Sequence, residues 1–193
     1  MHESLIAYFK NHSSSSLTEA DIEAIKNVFV QKKIRKRQYF LQEGEVCKFA
    51  AFIVKGAMRE YYIDDKGTEH ITRLLIENWW ASDRESYVML KPAVYNIDAL
   101  EDCEVLLLSR TDYLTLLETV PAVNEAMRRA NDNLAIAMQK RVASISLSVE
   151  ERYAELIKTN PEFLQRFPQH IIASYLGVAK ETLSRIRSYA AKK

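Results

Sequence analysis

The stretch Phe167-Pro-Gln-His-Ile-Ile-Ala-Ser-Tyr-Leu-Gly-Val-Ala-Lys-Glu-Thr-Leu-Ser-Arg-Ile-Arg187 decides how the C-terminal part of this 193-residue chain folds. Gly177 divides it. Before the glycine, Ile172, Ala173 and Leu176 share one helical face. After it, Val178, Leu183 and Ile186 return to the same side. Six apolar positions so placed are what two short crossed helices need in order to bury against each other. Ala173 is small where the helices come closest, and Gly177 tolerates the positive φ of a sharp turn. Pro168 suits the first position of the first helix.

The second helix then has a polar face. With Leu183 and Ile186 inside, a rotation of about 100° per residue turns Glu181, Ser184, Arg185 and Ser188 outward. Lys180, Thr182 and Arg187 fall on the flanks. Arginine can read the O6 and N7 of guanine, glutamate can accept from cytosine N4, and flanking Lys, Thr and Arg suit phosphates. An ordinary helical hairpin with a solvated charged face is the competing reading. The combination of matched apolar positions, small residue, glycine and short Arg-bearing face favours a helix-turn-helix entering the major groove of DNA.

Charge agrees locally. The chain carries a net +1, with 27 basic and 26 acidic residues. From residue 166 on, Arg166, Lys180, Arg185, Arg187, Lys192 and Lys193 stand against Glu181 alone, six minus one or +5, so the remainder sums to −4. A basic terminal module on a mildly acidic body is what contact with phosphate requires. The 48% hydrophobic content is that of an ordinary globular protein. No apolar run approaches a membrane span, and the N-terminal segment lacks the pattern of a signal peptide, so a cytoplasmic protein without a membrane partner is expected. The first ten residues read as a short amphipathic helix.

Four scattered histidines and two distant cysteines offer no metal pattern, and no nucleophilic triad, phosphate-cradling loop or carboxylate pair suggests an enzyme. Cys103, in an apolar run, is expected in the core; Cys47, after a glycine turn, is expected to be accessible.

Between these features the texture changes. His12 to Ser16 is a polar link. Thr18-Glu-Ala-Asp21 opens a helix whose apolar face is Ile22, Ile25, Val28 and Phe29. The basic run Lys32-Lys-Ile-Arg-Lys-Arg37 leads into Tyr39-Phe-Leu41 and reads as the solvated face of an entering strand. Short strands follow at 49–54, 58–63, 68–76, 97–100 and 105–108, with a hairpin signal at Asp64-Asp-Lys-Gly67. Strands recurring at such intervals suggest a sandwich or barrel. Helix returns at 111–118. After Pro121 a long helix is expected over 122–147, about 39 Å at 1.5 Å per residue. Val123, Met127, Ala130, Leu134 and Ala137 repeat along it at coiled-coil spacing, and Met138, Val142 and Ile145 widen the stripe. Such a helix exceeds one small β domain, so Val123, Met127, Ala130, Leu134, Ala137 and Met138 are expected to form a homodimer seam. Ser148-Val-Glu-Glu151 is a capping box that restarts the chain in a new helix.

The expected organisation is therefore α+β: a double-stranded β-helix, or jelly-roll-like β-roll, over 1–120, a dimerisation helix over 121–147, and a helix-turn-helix domain over 148–193. In this order the parts resemble the CRP/FNR family of bacterial transcription regulators. The recognition motif carries the likeness through Ile172-Ala173, Leu176-Gly177-Val178 and Glu181-Thr182-Leu183-Ser184-Arg185-Ile186. The roll carries it through Glu43-Gly44-Glu45, Val54-Lys-Gly56, Asp65-Lys-Gly67 and Ala99-Leu-Glu-Asp102. The resemblance implies a homodimer on a palindromic double-stranded operator, with RNA polymerase as a further partner and Lys180, Glu181 and Arg185 as main base readers.

Two departures qualify the likeness. Cyclic-nucleotide binders of the family hold the phosphate with an arginine in a Pro-Arg-x-Ala sequence. Here the sequence is Pro92-Ala-Val-Tyr95, with Ala93 in the arginine slot, so cAMP and cGMP are not expected as cofactors. The connection from Ile157 to Pro168 is also short for a β-wing. A different effector would use Tyr62, Trp80, Arg84, Glu85, Ser86, Met127 and Arg128. The alternative to a DNA-binding regulator is a cyclic-nucleotide-binding or protein-interaction signalling module whose helical tail contacts a protein.

Overall fold

The computed structural model describes residues 1–190; Lys192 and Lys193, counted in the terminal charge above, lie outside the described residues. Two N-terminal helices, α1 (His2–His12) and α2 (Glu19–Val28), precede eight strands. The α2 start is a full capping box: Thr18 Oγ1 accepts from Asp21 N, and the Asp21 carboxylate accepts from Thr18 N at 2.9 Å. The strands are β1 (Val30–Ile34), β2 (Tyr39–Leu41), β3 (Phe49–Lys55), β4 (Met58–Ile63), β5 (Glu69–Leu75), β6 (Trp80–Ala81), β7 (Asn96–Ala99) and β8 (Cys103–Ser109). They form two antiparallel sheets, in the orders β1-β8-β3-β6 and β2-β7-β4-β5. This is the expected jelly-roll-like β-roll.

Alternation explains which faces meet inside it. In β4, Met58, Glu60 and Tyr61 are buried while Tyr62 and Ile63 are exposed, the phase shifting at a bulge against β5 between Glu60 and Tyr61. The roll core includes Phe52, Ile53, Leu75, Ile97, Val105, Leu106 and Leu108. Gly56, at φ 103°, turns β3 into β4 where a Cβ would fall 2.6 Å from Cys103 Sγ and 2.8 Å from the Asp102 carbonyl, so the close approach excludes any side chain. Cys103 is buried, as expected. Cys47 is buried too, correcting the expectation that it is accessible. Its N–H donates to Ser86 Oγ at 2.8 Å, its Sγ donates to the Phe49 carbonyl at 3.2 Å, and burial pushes the thiol up to about 11.

A short helix absent from the sequence reading, α3 (Arg84–Met89), interrupts the roll between β6 and β7. After the roll come α4 (Arg110–Thr119) and α5 (Pro121–Ala143). At 23 residues α5 extends about 35 Å, less than the 26-residue helix expected. Its end is set by serines. Ser144 Oγ donates to the Arg141 carbonyl and Ser146 Oγ to the Ala143 carbonyl, and residues Ser144–Ser146 tighten into a 3₁₀ turn. The chain then continues through α6 (Val149–Thr159), α7 (Phe163–Arg166), α8 (Gln169–Tyr175) and α9 (Lys180–Ala190). The expected Ser148–Glu151 capping box opens α6. Among the described residues no strand follows β8.

Candidate nucleic-acid interface

The turn between α8 and α9 is closed by the backbone itself. Gly177 has φ 71°, its N–H donates to the Ser174 carbonyl at 3.0 Å, and the Val178 N–H reaches back to the Ala173 carbonyl at 3.0 Å. That is a Schellman motif, with the glycine in the left-handed position the motif prescribes. It fixes the direction in which α9 leaves α8. Leu183 and Ile186 are then buried against Ile172, Ala173, Leu176, Tyr153 and Leu156. The same rotation leaves Lys180, Glu181, Ser184, Arg185, Arg187 and Ser188 exposed and Thr182 half-buried. All seven residues assigned to DNA therefore lie on one short helix, outside its buried seam.

This domain does not stand apart from the roll. Its core continues into Ala57, in the turn before β4, and into Tyr61, Ile71 and Leu74 of the sheet ending in β5. As an edge strand, β5 has backbone groups to satisfy. Ser174 of α8 supplies two partners: its Oγ donates to the Glu69 carbonyl at 3.0 Å and accepts from the Ile71 N–H at 3.2 Å. Arg141, near the end of α5, donates to the carbonyls of Ile71, Thr72 and Tyr175 and lies 4.3 Å over the Tyr175 ring. One guanidinium thus joins roll, long helix and helix-turn-helix. Arg166 of α7 makes a second joint, bridging Glu77 at 2.9 Å and Glu101 at 2.8 Å. Burial pushes the Glu77 carboxyl up, but Arg166 and the backbone N–H of Gly56 more than offset it and leave it below its ordinary value. Neither arginine was identifiable from sequence as a joint, because its partners lie at separations of 34 to 89 residues.

Along α5 the six seam residues divide. Val123 and Met127 are buried against the chain's own roll, Ala130 and Leu134 are half-buried, and Ala137 and Met138 are exposed. The exposed stripe continues through Val142 and Ile145.

The roll's turn region around Ala93 is already occupied by protein. Ala93 is buried, with its N–H on the Glu45 carbonyl at 2.7 Å and its carbonyl accepting from Gly44 N–H at 2.8 Å. Beside it, the buried Asp83 carboxylate caps α3, accepting from Ser86 N–H at 3.0 Å and from Val94 N–H at 3.1 Å. The Asp83 carboxylate thus already takes two backbone donors of this turn, and Ala93 rather than an arginine stands in the slot. The residues present do not fit a cyclic nucleotide held by its phosphate. Nearby, burial pushes the Glu60 carboxyl up, and Arg73 and Thr72 only partly compensate.

A separate cavity of about 440 Å³ lies between the roll, α5 and the helices that follow. Of the residues assigned to an effector, Trp80, Arg84 and Met127 line it. Ser86 is buried, its Oγ donating to the Lys91 carbonyl at 2.6 Å. Tyr62, Glu85 and Arg128 are not among the lining residues: Tyr62 stacks on His70 at 4.9 Å and Glu85 faces Lys91 across 3.7 Å on the surface.

Comparison with known proteins accords with this architecture. Residues 31–120 match the cyclic nucleotide-binding domain family. The transcriptional regulatory protein btr of Bordetella pertussis is 28% identical over 102 residues, covering 47% of this chain and 42% of that protein, so the chain spans less than half the length of this curated relative. FixK2 from Bradyrhizobium japonicum superposes with a TM-score of 0.73 at 17% identity, over 86% of this chain and 85% of its own. A protein of Eubacterium rectale described as a transcriptional regulator of the CRP/FNR family superposes with a TM-score of 0.66 at 16% identity, over 90% and 83%. Two of these relatives, the Bordetella and Eubacterium proteins, are described as transcription regulators. No described helix is long and apolar enough to cross a membrane.

Proposed function

The chain has the fold of the CRP/FNR regulators and carries a domain of the cyclic nucleotide-binding family over 31–120, and from that premise we propose that it is a cytoplasmic, homodimeric, sequence-specific DNA-binding transcription regulator. The observation that carries this reading is α9. Its apolar residues Leu183 and Ile186 are spent inside the domain, while Lys180, Glu181, Thr182, Ser184, Arg185, Arg187 and Ser188 are left on its outer sides. Arg185 and Glu181 would read base edges, and Lys180, Thr182 and Arg187 would position the helix on phosphates.

Support for the dimer comes from the outer half of α5 and the turn after it, where Ile136, Val142 and Ile145 are exposed and Met138 is partly so among the described residues. Paired α5 helices would bury them and set two copies of α9 about one DNA turn, roughly 34 Å, apart on a palindromic operator. Gene control would then run through RNA polymerase, the partner implied by the family likeness. An effector, on this reading, is not a cyclic nucleotide, given Ala93 and the internal Asp83 anion.

The test is a selection of genomic fragments by the purified protein, followed by binding titrations against salt. Enrichment of a palindrome with half-sites one turn apart is the expected result, with log affinity falling linearly in log salt. Binding that stays weak and sequence-independent, with and without cell extract, would overturn the reading in favour of a signalling module.

A further inference from the structure

The 440 Å³ cavity has a one-sided chemistry. No aspartate or glutamate is found among its described lining residues, whereas Arg73, Arg84 and Arg141 are. Seven of its walls are aromatic rings, including both tryptophans of the chain, Trp79 and Trp80. Two of the arginines are committed. Arg73 faces Glu60 at 3.2 Å and the Trp80 carbonyl at 3.0 Å, and Arg141 holds the three carbonyls of the domain joint. Arg84 is exposed and makes no ion pair among the described residues. Among the described residues the buried indole nitrogen of Trp80 has no acceptor at normal hydrogen-bond distance, with the Tyr8 side chain packed beside it.

From this geometry we infer that the cavity binds a small planar aromatic anion, with Arg84 taking the negative charge and the tryptophan side offering an apolar wall. Aromatic walls bury a planar ring efficiently, and a guanidinium suits a carboxylate or phosphate bidentately. The volume is that of a small-molecule site. The cavity borders the turn around Asp83 through Ser82 and Arg84, while Ala93 and Asp83 themselves do not line it.

Its location gives the ligand leverage. The walls come from the roll (Trp80), from α5 (Asn133) and from the helix-turn-helix domain (Phe163 and Tyr175). A molecule seated there touches all three parts and so favours whichever pose of α9 keeps them together. That regulatory role rests on the DNA-binding reading above; the binding itself does not.

Because both tryptophans line the cavity, their emission reports its occupancy without a label. Full-length protein is titrated with naphthoate and, separately, with its neutral amide naphthamide, by tryptophan emission and calorimetry. The expected result is saturable binding of naphthoate at least about tenfold tighter than naphthamide. Arg84→Gln should lower naphthoate affinity to the naphthamide level and leave naphthamide unchanged. Asn133→Asp, which brings a negative charge into the cavity from exposed α5, should weaken naphthoate selectively. Equal affinity for acid and amide, or indifference of naphthoate to both substitutions, would overturn the proposal. So would loss of binding as protein concentration rises, which would assign the cavity to a second copy of the chain. The titration contains no DNA, so its failure leaves the regulator reading standing, and a protein that binds naphthoate but no operator would break only that reading.

Discussion

At the start of α5, Val123, Ala126 and Met127 are buried in the core of the roll, whereas further along Ile136, Met138, Val142 and, just past the helix end, Ile145 are 48%, 38%, 68% and 73% exposed. One apolar stripe therefore does two jobs. Its first turns are fixed within the chain and make the helix part of the roll domain. Among the described residues its later turns are only partly covered, most firmly at Arg141, where the helix meets both β5 and the helix-turn-helix domain. A single periodic pattern in a sequence does not say who the neighbour is. The neighbour is decided by how far the adjoining domain reaches, and here the buried core of the roll reaches about as far as Met127.

The sharpest way to break this contrast is to place a charge in each half. Val123→Asp buries an unpaired carboxylate in the roll core and should cost more than about 4 kcal/mol; chemical denaturation would show the loss. If Val123 were instead a seam residue, dissociation without unfolding would be seen. Val142→Asp, in the outer half, is the counterpart and comes last in order of stability effect.

The second largest effect belongs to DNA. If the outer half of α5 serves a dimer that presents two α9 helices, then Arg185→Ala should cost roughly 1–3 kcal/mol of operator affinity and relax specificity at one base pair. Thermal stability should not move, since Arg185 is exposed and makes no ion pair among the described residues. Operator titrations paired with melting curves check both statements.

Third is the joint between the domains. Arg166→Ala removes the cation shared by Glu77 and Glu101, which should loosen the helix-turn-helix from the roll at a cost of about 1–2 kcal/mol. Limited proteolysis around residues 144–148 would report the loosening. The pH dependence has a definite sign. Because the folded Glu77 carboxyl lies below its unfolded value, its contribution is complete above the ordinary glutamate range, near 4.3, and is lost as pH falls below that range through the depressed folded value. Proteolytic protection should therefore fade in acid in the wild type, and fade less in the Arg166→Ala variant.

Smallest in stability is Val142→Asp, expected within about 0.5 kcal/mol for a monomer because the side chain is exposed. Its effect should appear instead in sedimentation, as a dimer weakened tenfold or more.

What could be read from the sequence was local. β4 occupies the stretch 58–63 expected of it, the Thr18 cap and the Ser148–Glu151 capping box form as their side chains specify, and Gly177 takes the positive φ that the helix-turn-helix pattern demanded. These features depend on residues a few positions apart. The end of α5 was misplaced because apolar spacing continues through Ile145, while Ser144 and Ser146 turn their hydroxyls back on the helix carbonyls and close it early. α3 escaped notice because six residues are too few for a period to show. The internal anion at Asp83, the joints at Arg141 and Arg166, and the acid-free cavity are products of distant segments meeting. Arg141 reads as a solvated helix residue until β5 and α8 are in place, and nothing near Asp83 in sequence announces that Val94 N–H will need an acceptor.

If two α9 helices, joined through α5, read one face of DNA, the spacing of the half-sites decides affinity. Inserting half a helical turn, about five base pairs, between the half-sites of the selected operator should lower affinity at least about a hundredfold relative to the parent sequence, while a full turn, about ten base pairs, should restore part of it. Equal affinity for all three spacings would mean instead that the chains read DNA independently of one another.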